Sequence, residues 1–288
     1  MDVRVLWLGC ILSVTGTAAG QDDGLRQIWD SGFRQKRPAG KVGKARPAVK
    51  YSVGAQSSAP VGGGSAVGVT VWRLREPNAG DGRAPRLLVY RPQSKEKVGM
   101  VAERVSSGTA LANGTKVRVS IEVPRDGYLY VIDREKFRGG KTGDPFLVFP
   151  QRGIRKGDNR VQAGMMVDIP AQTDELPAMT LEMAGADQVG EELLIVVTGK
   201  PLEELAPGAE ARRLPRSLVE KMEREWGQAV TRLDLAAGSR DLWTELEKSA
   251  AGEGGKLLTQ DDPMPQMLLH VAANAGQALL FRYEIAVE

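Results

Sequence analysis

Several short stretches carry residue types that do chemistry in other settings. Ser94-Lys95-Glu96-Lys97 has the S-x-x-K spacing in which a lysine activates a serine nucleophile, and Lys141-Thr142-Gly143 and Asp158-Asn159 match pieces of the companion motifs. Their order is wrong for that chemistry. The middle motif should precede K-T-G and contain a serine, and the nucleophile should open a buried apolar helix, whereas Lys, Glu and Lys follow Ser94. Gly140-Lys141-Thr142 also resembles the end of a phosphate-binding loop. Glu135 stands where the first glycine of that loop belongs, and Gly143-Asp144-Pro145 cannot open a helix whose amides would cradle a phosphate.

His270 is the only histidine, which excludes a multi-histidine metal site, and it sits in the apolar run Met267-Leu268-Leu269-His270-Val271 with no G-x-S-x-G motif elsewhere. Asp133, Glu135, Asp144, Asp158, Asp261 and Asp262 fall near strand ends or in loops, where two carboxylates could hydrolyse a glycosidic bond. Against this, the aromatic platforms of sugar subsites are few, and Asp in a turn is an ordinary backbone choice. Their spacing does not fit a calcium loop, and no cofactor is implied. Tyr128 and Tyr130, two residues apart on a strand, share one face and serve either as a small binding patch or in the core.

The elements that must position these residues are mostly strands. In Lys116 to Val123, residues Val117, Val119, Ile121 and Val123 alternate with polar ones, and Pro124-Arg125-Asp126-Gly127 then predicts a hairpin to Tyr128–Asp133. Further strands are expected at 69–75, 86–91, 146–149, 165–169, 179–183, 193–198, 267–272 and 278–287. This spacing predicts a mainly β chain, an antiparallel β-sandwich, immunoglobulin-like or related. Apolar residues at helical spacing predict two accessory helices within a helical insertion at about 214–250 of a domain running 67–288. One spans Ser217 to Leu233 and the other Asp241 to Ala250.

The first twenty residues have the layout of a secretory signal: Arg4, an apolar stretch from Val5 to Val14, and small residues ending Ala18-Ala19-Gly20. Cleavage near Gly20 would make the protein secreted or periplasmic. It would remove the sole cysteine, Cys10, and leave the net charge at +3, because Asp2 and Arg4 leave together. A lipoprotein cut at Cys10 would leave a nine-residue signal with hardly any apolar core, so lipidation is not expected. No later stretch is long and apolar enough to span a bilayer. Residues 21–66 read as a disordered, basic linker rich in Gly, Ser and Pro. Arg34, Lys36, Arg37, Lys41, Lys44, Arg46 and Lys50 occur there without one acidic residue from Ser31 to Lys50, which suits a tether to an anionic envelope polymer.

An ordered series, Asp126-Gly127-Tyr128-Leu129-Tyr130, Phe149-Pro150, Asp158-Asn159, Ala163-Gly164 and Ile169-Pro170, resembles a bacterial exported domain of unknown function, number 4384, over about residues 67–202. Gly190 to Val197 fits the strand that closes that pattern. The resemblance implies a β-sandwich in exported or membrane-linked bacterial proteins, with no catalytic residue to carry over. The chain reads best as a stand-alone, non-catalytic exported module for an envelope protein or anionic polymer, with no specific nucleic-acid partner. The alternative is an envelope hydrolase using carboxylates or the Ser94 and Lys97 pair.

Overall fold

The computed structural model describes residues 28, 33–40, 52–53, 64–91, 96–106, 108–174, 176–235, 242–243, 248, 255–274 and 276–288. The signal-like start and Ser94 lie outside them. In chain order the strands are β1 (Ser52–Val53), β2 (Ser65–Arg75), β3 (Leu87–Arg91), β4 (Glu96–Arg104), β5 (Lys116–Glu122), β6 (Gly127–Phe137), β7 (Phe146–Phe149) and β8 (Arg160–Val161). They continue as β9 (Met165–Ile169), β10 (Met179–Thr180), β11 (Gln188–Thr198), β12 (Arg212–Arg213), β13 (Thr231–Asp234), β14 (Lys256–Leu257), β15 (Met267–Val271) and β16 (Leu279–Ala286). An α-helix, α1, spans Arg216–Trp226 between β12 and β13.

Among the described residues the strands form two antiparallel sheets. The larger has ten strands in the order β1-β13-β15-β2-β5-β9-β14, with β10 beside β5 and the β3–β4 pair beside β2. The smaller has six, β12-β7-β6-β11-β16, with β8 beside β6. The chain is mainly β, as its period-two alternation requires.

Alternation also selects what each sheet buries. Val69, Val119 and Val167 of the larger sheet share one core with Val131, Ile195 and Phe281 of the smaller. Each such side chain removed from water contributes roughly 1.5–3 kcal/mol before the entropy of ordering is counted. The other face of the smaller sheet is covered by α1, whose Val219 and Met222 pack on Tyr130, Ile132, Val196 and Leu280. Glu223 of α1 accepts from Arg134 of β6 (2.7 Å) and Arg282 of β16 (3.1 Å), which fixes the helix across three strands.

The turn at Pro124–Gly127 does not make a hairpin. β5 pairs only within the larger sheet and β6 only within the smaller, so the turn carries the chain from one sheet to the other. The cause is burial. Ile121 and Val123 enter the shared core from the larger sheet, Leu129 and Val131 enter it from the smaller, and the turn joins the two sides. Gly127 permits the crossing because it has φ 153° and a Cβ there would run into the carbonyl of Thr198.

The helix expected over Ser217 to Leu233 stops at Gly227, and Thr231–Asp234 becomes strand β13, paired with β15. Leu233 fits the helical spacing of the sequence, but it is fully buried with Phe33 and Leu268 on the larger sheet. The expected helix over Asp241 to Ala250 lies largely outside the described residues. Within it, Leu242 bridges to Glu103 and the Trp243 amide donates to the Ala102 carbonyl (2.8 Å), an extended contact along β4. The linker read over 21–66 is not uniform: Ile28, Phe33 and Arg37 are buried, and β2 already begins at Ser65. Among the described residues no helix is long and apolar enough to cross a membrane.

Candidate functional site

The face of the larger sheet turned away from the shared core carries the polar members of the alternation. On β5 these are Arg118, Ser120 and Glu122, all buried, flanked by Thr70 and Trp72 on β2 and Asp168 on β9. A sheet face buries such groups only beneath a cover. The cover consists of the Phe33–Gly40 segment, the loop from Leu258 to Pro265, and Trp243.

The Ser120 hydroxyl donates to Asp168 Oδ1 (2.5 Å) and accepts from Trp72 Nε1 (2.9 Å). Arg118 donates through Nε to the Pro170 carbonyl (3.0 Å), and its Nη2 lies 3.4 Å from Asp168 Oδ2 without hydrogen-bond geometry for either atom. The Arg118 guanidinium stacks 5.4 Å from the Trp243 ring, and the Arg104 guanidinium 5.2 Å from the Trp72 ring. Trp72 and Trp243 meet at 6.1 Å between ring centroids. The serine thus has both a proton acceptor and a donor already engaged, and the chain Trp72–Ser120–Asp168 acts to hold the two indoles in place. The cavity left between these groups and Pro263–Pro265 is about 20 Å³, room for a single water.

Beside this cluster, Arg37 reaches down from the covering segment to Glu122. Nε and Nη2 donate to the two carboxylate oxygens at 2.6 and 2.5 Å. Burial raises the Glu122 carboxyl above its ordinary value, and the hydrogen bonds and charge of Arg37 oppose that rise. Phe33 lies over Gly68, whose missing side chain leaves room for the ring and for Pro265.

A second polar groove, about 270 Å³, opens beside the end of β4, lined by Arg73, Glu103, Arg104, Ser106, Thr109 and Leu111. Glu103 accepts from Arg73 (3.0 Å) and Arg75 (2.7 Å), and Arg75 also grips Asp81. The Arg75 guanidinium and the Asn78 amide hold Asp81 down at about 2.

The carboxylates singled out in the sequence are scattered. Asp144 pairs with Arg213 and Arg216, Asp158 accepts from the Arg160 amide, and Asp262 orders its loop through Thr259. Asp133 and Glu135 do come together, at one end of the inner face of β6, and are joined by Glu191, which sits opposite Glu135 in the ladder. Burial, then Glu135, pushes Asp133 up to about 7, and one of its oxygens, Oδ1, has no hydrogen-bond partner. Burial, then Asp133 and Glu135, pushes Glu191 up to about 8. Glu191 has no distinguishing signal in sequence, since its neighbour Glu192 looks the same and faces the helix instead. Among the described residues no group of three or more His, Cys, Asp or Glu is arranged to hold a metal.

The aromatic pair is not an exposed patch. Tyr130 is buried under α1 with its hydroxyl accepting from the Leu202 amide (2.8 Å), and Tyr128 packs half-buried on the same cluster. His270 is buried on β15, paired with Ala66 and Thr231. Lys97 is exposed on β4. Of the seven basic residues assigned to a tether, Arg37 is instead part of the sheet's cover, and Arg34 and Lys36 form the turn just before it. Lys41, Lys44, Arg46 and Lys50 lie outside the described residues.

No family model, no curated protein and no solved structure matches this chain.

Proposed function

We propose that the protein is an exported, non-catalytic envelope component, a β-sandwich that binds a protein or polymer partner, with Lys41, Lys44, Arg46 and Lys50 as its tether to anionic polymer. The observation that carries this reading is the outer face of the larger sheet, which seats Phe33–Pro38, a 3-10 turn followed by an extended Arg37, through an aromatic ring, a buried arginine and a main-chain hydrogen bond. Those are the means by which a protein surface recognises a peptide segment. The secretory layout of residues 1–20 and the resemblance to an exported domain support the location.

The test is retention of the mature chain on anionic peptidoglycan. Wild-type protein is expected to co-sediment at low salt and to be released at high salt, since exposed charges are screened. A variant with Lys41, Lys44, Arg46 and Lys50 all changed to Ala is expected to stay in the supernatant. Equal sedimentation of the two removes the tether, and absence of both retention and any captured envelope protein removes the binding reading.

The raised carboxyls of Asp133 and Glu191 favour a second reading, glycan hydrolysis by an acid–base pair. Glycan turnover abolished by D133N or E191Q would put it first.

A further inference from the structure

The seat of Arg37 is more complete than an ion pair. A guanidinium carries five N–H donors in a fixed fork. Here Nε and one Nη2 hydrogen go to Glu122, the second Nη2 hydrogen to the Pro263 carbonyl (3.1 Å), and Nη1 to the Asp262 (3.0 Å) and Thr259 (3.3 Å) carbonyls. All five donors are met in a site that leaves Arg37 only 2 % exposed.

The acceptors are arranged by contacts that do not involve Arg37. The Asp262 carboxylate accepts from the Thr259 amide (2.7 Å) and hydroxyl (2.9 Å), the Asp262 amide donates back to the Thr259 carbonyl (3.1 Å), and the Leu258 amide donates to the Gly164 carbonyl (3.0 Å). Glu122 is fixed by the ladder of β5. The loop also reads the backbone of the occupant: the Gln260 amide donates to the Pro38 carbonyl (3.0 Å) and its side chain to the Arg37 carbonyl (3.4 Å). Four residues before Arg37, Phe33 fills the space above Gly68. Emptied, this seat would leave the buried Glu122 and three carbonyls without the donors that satisfy them, which a protein tolerates poorly.

We propose that Glu122 and the Thr259–Pro263 loop form a recognition site for an arginine side chain that follows a 3-10 turn in a peptide segment, and that Phe33–Pro38 is its resident intramolecular occupant. This rests on the binding-module reading and names the chemistry of the partner: a segment bearing an apolar residue and, four positions on, an arginine. A flexible ammonium cannot meet a bidentate carboxylate and three carbonyls at once, so lysine is excluded. The residues between Gly40 and β1 keep the occupant at high effective concentration, so a free peptide competes only when the seat is vacated.

The test uses the full chain. A synthetic peptide of residues 28–40 is titrated by calorimetry into wild type and into R37A, whose fold is checked by circular dichroism. R37A is expected to bind the peptide with one-to-one stoichiometry, and the same peptide carrying R37K is expected to bind about tenfold or more weakly. Wild type, with its seat filled, is expected to bind about tenfold or more weakly than R37A. Folded R37A that ignores the peptide, or takes both peptides equally, overturns the proposal.

Should R37A not fold, wild type with a protease site inserted between Gly40 and Ser52 is cut after folding and mixed with labelled peptide. Exchange of label into the cut protein, by the Arg37 peptide and not its R37K form, supports the site, and no exchange overturns it. Either failure leaves retention on peptidoglycan, measured separately, untouched.

Discussion

Arg37 and Glu122, 85 residues apart in the chain, form a buried bidentate ion pair that joins the basic N-terminal segment to β5, an interior strand of the larger sheet. The pair sets Arg37 apart from the other six cations of that segment, of which Arg34 and Lys36 form the preceding turn. Arg37 is engaged by the fold, and the cations after Gly40 are the ones assigned to a polymer.

The Asp133, Glu135 and Glu191 cluster predicts a stability that falls as pH rises. A carboxyl whose folded pKa lies above its unfolded value keeps its proton in the folded state while the unfolded state has released it, so each unit of pH in that interval favours unfolding. For Asp133 the interval runs from its unfolded value of 3.8 to about 7, and for Glu191 from 4.5 to about 8. Above these values the loss is complete and the curve flattens. D133N and E191Q should each raise stability at pH 8 by about 1–3 kcal/mol and leave it nearly unchanged at pH 4, read from urea unfolding at the two pH values. A wild-type curve flat from pH 4 to 8 would contradict the cluster.

Gly127 predicts a sharp contrast with Gly153. G127A places a Cβ against the Thr198 carbonyl at a positive φ and should cost about 2 kcal/mol or more. G153A, where nothing lies within 4 Å, should change stability by less than about 0.5 kcal/mol. Thermal unfolding of the two variants decides, and equal midpoints would mean that the crossing between sheets does not depend on Gly127.

Ser120 predicts an effect out of proportion to its size. S120A removes one hydroxyl but leaves the Trp72 indole N–H and Asp168 Oδ1 without that partner in a buried site, a loss of about 1–3 kcal/mol. Because Trp72 packs on Trp243, the near-ultraviolet circular dichroism of the indoles should change as well. S120T, which retains the hydroxyl, should keep more of that signal, and a near-silent S120A would show that the serine does not hold the indoles.

The long strands are legible in the sequence because each carries a run of apolar and β-branched residues. β5 and β16 alternate over most of their length, β6 and β11 carry the apolar runs Leu129–Ile132 and Leu193–Val197, and the structure places a strand over each. β4 escapes the pattern: its charged ends and Gly99 blur the alternation, and its place depends on pairing with β2 and β3. The stretch after Gly227 satisfies helix and strand periodicity equally, and only the waiting edge of β15 selects strand for Leu233. The turn at Pro124–Gly127 has the same local chemistry in a hairpin and in a crossing, since its outcome depends on which sheet buries Leu129. The candidate site is least legible. Arg37 looks like six other cations of its segment, and Glu122 like any polar residue on the outer side of a strand. Nothing local connects residues so far apart in the chain.

A double-mutant cycle on Arg37 and Glu122 in the full-length chain tests the central claim most directly. Arg37→Leu and Glu122→Leu are made singly and together, and unfolding is followed in urea. If the segment is seated as described, each single change strands a buried charge and costs about 3 kcal/mol, while the double change costs clearly less than the sum, a coupling of about 2 kcal/mol or more. Additive losses, with Arg37→Leu costing under about 1 kcal/mol, would show that the segment is not held on the sheet by this pair.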